Sequence, residues 1–136
     1  MNKLNIINRS SVNDLNNLLK SLNVKNYMVC RAGELKNKMK NKKIKNYILN
    51  LDNVGGGTHW VYYSPFYNIY FDSFAQQPPT TIPKKNNKGA TVKLASTIKE
   101  IESIEAQDCG QLCALFAYYI NYKSRDEFYK LFKDVY

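Results

Sequence analysis

Two aromatic and β-branched runs, His59-Trp60-Val61-Tyr62-Tyr63 and Ile69-Tyr70-Phe71-Asp72-Ser73-Phe74, flank the short segment Ser64-Pro65-Phe66-Tyr67-Asn68. Side chains of this kind favour extended backbone, and Pro and Asn between them supply a reversal, so the segment predicts an antiparallel hairpin. Pairing the two runs brings the start of one strand beside the end of the other. His59 and Asp72 then fall at the same edge of a sheet, near enough for imidazole Nδ1–H to meet a carboxylate. A lone His is most often structural or exposed, and an Asp at a strand end most often forms a turn. Their joint placement gains weight only if a nucleophile lies nearby.

The stretch Ala106-Gln107-Asp108-Cys109-Gly110-Gln111-Leu112-Cys113 offers one. From Cys109 onward, Leu112, Cys113, Phe116, Tyr119 and Ile120 recur at three- and four-residue spacing, the mark of one buried helical face. Cys109 is expected in the first turn, where unpaired N–H groups and the helix dipole favour a thiolate. The plainer alternative is a small buried hydrophobe. Cys113, one turn further on, reads as core. Nucleophile, base and orienter of the base make up the set that thiol chemistry requires.

Elsewhere the chain is simpler. Ser10-Ser11 before Val12, Leu15, Leu18, Leu19 and Leu22 predicts a short amphipathic helix, with Ser11 and Asp14 as its N-terminal cap. Tyr27-Met28-Val29-Cys30 is too short to classify, and Cys30 reads as packing. Arg31 to Lys45 holds six lysines and predicts a solvated helix or loop, with an electrostatic docking face as the alternative. Tyr47 to Leu51 alternates as a strand does, and Val54 to Thr58 is a flexible glycine turn. Those glycines lack the Lys-Ser/Thr and the helix start of a phosphate-binding loop. Ala75 to Gly89, with three prolines, is a loop. Thr91 to Ile104 fits a helix in part (Ile98, Ile101, Ile104) and a strand in part. Ser124 with Glu127 caps a last helix carrying Phe128, Leu131, Phe132 and Val135.

With 136 residues, 44% of them hydrophobic, the chain is expected to form one domain over 1–136 with an ordinary core. Three cysteines with no C-x-x-C pair read as free thiols in a reducing compartment. One histidine makes a zinc site unexpected, and no cofactor is called for. Neither a leader peptide nor a bilayer-spanning run is evident, so the expectation is a soluble intracellular protein. The formal charge of +9 is compatible with nucleic-acid contact, but the lysines come with many asparagines, which points equally to AT-rich coding.

Three blocks together resemble a known family. Gly57-Thr58-His59-Trp60-Val61, then Tyr70-Phe71-Asp72-Ser73-Phe74 followed by Pro78-Pro79, then Asp108-Cys109-Gly110-x-x-Cys113 look like the adenain-like and Ulp1-like cysteine proteases. The order His, Asp, Cys is that of the family, and the likeness runs from about Tyr47 to Ile120. It is greatest to the small maturation proteases of adenoviruses, virophages and self-synthesising DNA transposons. The fold this implies is α+β and papain-like or adenain-like. A central, mainly antiparallel sheet is built around the 59–74 hairpin, and the nucleophile-bearing helix packs against it.

By the same resemblance Cys109 is the nucleophile, His59 the general base and then acid, and Asp72 the group that orients His59. Family members complete an oxyanion hole with a glutamine upstream of the cysteine. Gln107 is the candidate here, although it stands nearer the cysteine than is usual in the family. Ser103 or Glu102 occupies the usual position, and an ionised Glu102 would repel an oxyanion. Trp60 and Gly110 are expected to line the substrate site. The implied activity is endopeptidase cleavage of capsid precursors near small residues such as glycine, in the virion and in the cytoplasm of infected cells. Adenoviral relatives are stimulated by DNA and by a peptide, so the resemblance implies such an activator, acting on a monomer away from membranes. Two alternatives remain. An isopeptidase for ubiquitin-like modifiers would use the same residues but needs a large docking face. A non-catalytic nucleic-acid-binding protein would bind DNA in a salt-sensitive way, unaffected by Cys109→Ala.

Overall fold

The computed structural model describes residues 11–51, 59–95 and 109–131. Helix α1 (Val12–Ser21) begins where expected: Ser11 Oγ accepts from Asp14 N–H, and Asp14 returns the bond to Ser11 N–H. The unclassified apolar run is strand β1 (Tyr27–Arg31). The lysine-rich segment after it holds a 3₁₀ turn (Ala32–Glu34), a one-turn helix α2 (Leu35–Lys38) and loop. Strand β2 (Asn46–Asn50) is followed by β3 (Trp60–Ser64) and β4 (Ile69–Phe71), then by the short β5 (Lys93–Leu94). Helices α3 (Cys109–Tyr122) and α4 (Arg125–Lys130) close the described chain.

The architecture is α+β, with strands in the order β1-β2-β3-β4-β5. β2/β3 and β3/β4 are antiparallel, but β1/β2 and β4/β5 are parallel. The sheet is therefore mixed rather than mainly antiparallel. Its two edge strands arrive by crossovers, and a crossover delivers a strand in parallel.

Both faces of the sheet are covered. Ile48, Trp60, Tyr62, Ile69 and Phe71 pack with Leu15 and Leu19 of α1, Phe116 of α3 and Phe128 of α4. On the opposite face Tyr47, Leu49, Val61, Tyr63 and Tyr70 lie under Leu35, Ile82 and Val92. Double coverage explains why β2 is buried along its length instead of presenting a polar side.

An aromatic cluster docks α3 on the sheet. Phe71 and Phe116 stack at 4.4 Å, and Phe128 meets both edge-on at 5.3 and 5.1 Å. Such pairs add about 1 kcal/mol each to the burial of their surface. In α3 the inward face carries Cys109, Leu112, Cys113 and Phe116, with Tyr119 and Ile120 half-buried beside them. Leu131 departs from expectation: it is 47% exposed, one residue past the end of α4.

At the end of the sheet away from Cys109, a polar knot joins strands to helix. Asn46 Oδ1 accepts from Tyr62 OH and from Asn121 Nδ2, the latter at 2.8 Å. Asn46 Nδ2 donates to Lys25 O at 2.9 Å, and Tyr67 OH donates to Asn121 Oδ1 at 2.9 Å. Asn46→Leu strands several buried polar groups at once and is expected to cost about 3 kcal/mol. Urea unfolding should show a lower midpoint at constant slope, whereas a loss below about 1 kcal/mol would mean that water replaces the amide.

Candidate active site

Three elements converge at the other end of the sheet. The N-terminus of α3 supplies Cys109, the residue before β3 is His59, and the residue after β4 is Asp72. All three are buried, at 6%, 3% and 2% exposure. The last paired residues of the hairpin are Tyr62 and Phe71, so His59 and Asp72 sit just beyond the ladder, where side chains leave the regular pleat.

His59 is anchored through its main chain, since Leu51 N–H donates to its carbonyl at 2.9 Å and ties the base to the end of β2. Its Nε2 lies 2.8 Å from Asp72 Oδ1. The pairing of His59 with Asp72 is as expected, but the nitrogen differs. Nδ1 was the expected partner, whereas in the fold it is buried without a hydrogen-bond partner among the described residues. The face of the ring lies flat on Phe74, with centroids 4.4 Å apart and planes 5° apart.

The returning strand is shorter than its sequence suggests, ending at Phe71 rather than Phe74. Asp72 breaks it. Its Oδ1 accepts Phe74 N–H at 2.8 Å, its carbonyl accepts Ala75 N–H at 2.8 Å, and Ala75 takes a left-handed φ of 58°. An aspartate bonding to the amide two residues on is the intrinsic turn tendency of that side chain. The motif Asp72-Ser73-Phe74 carried that signal, and it would have placed Phe74 beside His59 rather than in a strand.

Cys109 Sγ accepts the main-chain N–H of Trp60 at 3.2 Å. That amide belongs to the peptide joining His59 to Trp60, so the sulfur rests against the backbone of the base. A helix N-terminus and a donated N–H both favour negative charge on sulfur. Trp60 thus contributes its backbone to the nucleophile. Its side chain, 3% exposed, also walls a cavity of about 500 Å³ together with Asn50, Arg31 and residues of β1 and α1. Gly110 is buried in the first turn of α3.

The remaining thiols differ in setting. Cys113 is fully buried in the core, as expected. Burial pushes the Cys30 thiol up to about 11, and Glu34 adds to the shift. Gln107, with Glu102, Ser103, Glu105 and Asp108, lies outside the described residues, as does the 54–58 glycine turn. Among the described residues no group of three or more His, Cys, Asp or Glu side chains could hold a metal ion. No described helix is long and apolar enough to cross a membrane. Comparison with protein-family models, with curated proteins and with solved structures finds no match to this chain.

Proposed function

We propose that the chain is a cysteine endopeptidase working through Cys109, His59 and Asp72, and that its substrates are structural precursor proteins of a virus. The observation that carries the chemistry is the buried convergence of the three groups. Asp72 occupies one imidazole nitrogen at 2.8 Å, and the sulfur lies against the peptide that follows His59. The substrate class rests on the likeness of the three sequence blocks to adenain-like proteases.

In this reading the Cys109 proton passes to Nδ1 of His59, the nitrogen that Asp72 leaves open. The thiolate adds to the scissile carbonyl, and the tetrahedral oxyanion collapses with loss of the amine, which takes the proton back from His59. Water, deprotonated by His59, then cleaves the thioester and restores the thiol. Asp72 balances the positive charge that His59 carries between these steps. The oxyanion needs at least one N–H donor, and the first turn of α3 supplies main-chain amides close to the sulfur. Gln107 is proposed as a further donor.

The test is a peptide library made from a denatured proteome, incubated with the protein before and after iodoacetamide treatment, with new N-termini mapped by mass spectrometry. Cleavage at a defined motif near small residues, lost on alkylation, is the expected result. Identical peptides from both samples, or none with and without added duplex DNA, would refute the proposal.

A further inference from the structure

We propose that Phe74 is a positioning residue for the base, holding the His59 imidazole with its ring and the Asp72 carboxylate with its main chain. The inference rests on the peptidase reading above. A single Nε2–H···O bond fixes one atom of the imidazole and leaves the tilt of the ring to whatever packs on its face. The parallel stack at 4.4 Å and 5° sets that tilt. Asp72 Oδ1 is constrained by the same residue, because it accepts Phe74 N–H and His59 Nε2–H, each at 2.8 Å. Acceptor and ring plane are therefore set by one side chain and its own amide.

The local backbone is committed to this arrangement. Ala75 at φ 58° is a left-handed non-glycine residue, a conformation held only when the surroundings demand it, and its N–H closes the turn onto Asp72 O. Phe74 itself is half-buried and belongs to neither hydrophobic core cluster. Its ring is thus spent on His59 rather than on holding the sheet to its helices. A flat aromatic face also suits an imidazole that becomes cationic during turnover, since positive charge is attracted to the ring.

The test reads the nucleophile without any substrate. Iodoacetamide alkylation of Cys109 is followed at pH 7 and pH 10 in the full chain and in Phe74→Ala, Phe74→Leu and Phe74→Tyr. At pH 7, where the thiol depends on its base, the alanine and leucine variants should react about tenfold more slowly, and tyrosine should stay within about twofold of the parent. At pH 10 hydroxide can remove the thiol proton in place of His59, and all four rates should coincide. Equal rates at pH 7, equal slowing at both pH values, or a leucine variant matching the parent would overturn the role of Phe74. A parent protein whose thiol gains reactivity from pH 7 to 10 like an ordinary free cysteine would instead overturn the peptidase reading, whatever Phe74 does.

Discussion

Cys109→Ser is expected to lower peptidase turnover by at least about 10⁴-fold while leaving the fold intact. The two side chains are close in size, and a serine oxygen can accept the Trp60 N–H that now meets Sγ at 3.2 Å. What changes is acidity: the hydroxyl holds its proton far more tightly than the thiol, so a base suited to sulfur cannot generate the nucleophile. The same variant identifies the reactive thiol. Because burial, reinforced by Glu34, pushes Cys30 up to about 11, only about one part in ten thousand of it is thiolate at pH 7. Cys113 is fully buried. Mass spectrometry after brief iodoacetamide exposure should show one alkyl group on the parent and none on Cys109→Ser. Turnover within tenfold of the parent would remove Cys109 from the chemistry.

The parts of the site that were readable in the sequence are those set by local pattern. The three- and four-residue spacing after Cys109 defines a buried helical face, and the helix that carries it runs from Cys109. The aromatic runs around Ser64–Asn68 define the hairpin, and a hairpin brings its outer ends together wherever it sits, which put His59 beside Asp72. Features set by contacts between distant segments were hidden. The parallel seating of β1 on β2 depends on a crossover whose lysine-rich sequence has no strong period of its own. The plane of the imidazole is set by the Phe74 stack, invisible while Phe74 is assigned to a strand. Leu131 illustrates the converse error: its spacing after Phe128 suits a buried face, but α4 stops at Lys130.

His59→Ala is expected to have two separable consequences. Activity should fall by about 10³-fold or more, since the proposed mechanism routes the thiol proton through His59. Stability should also fall, because Asp72 is 2% exposed and would lose its imidazole partner, keeping among the described residues the Phe74 N–H on Oδ1. Leaving a carboxylate buried and largely unpaired costs about 3 kcal/mol. Adding Asp72→Asn to His59→Ala removes the stranded charge while retaining an oxygen for the Phe74 amide, so most of that stability should return. Activity should not. Urea denaturation and peptide turnover, measured on the parent, both single variants and the double variant, separate the two effects. If the double variant proves no more stable than His59→Ala, Asp72 is not held as a charged partner of the histidine. Turnover in His59→Ala within about tenfold of the parent would show that the thiol is ionised by the helix terminus and the Trp60 amide alone. The roles of His59 and Asp72 in the proposed mechanism would then have to be withdrawn together, since Asp72 acts only through His59.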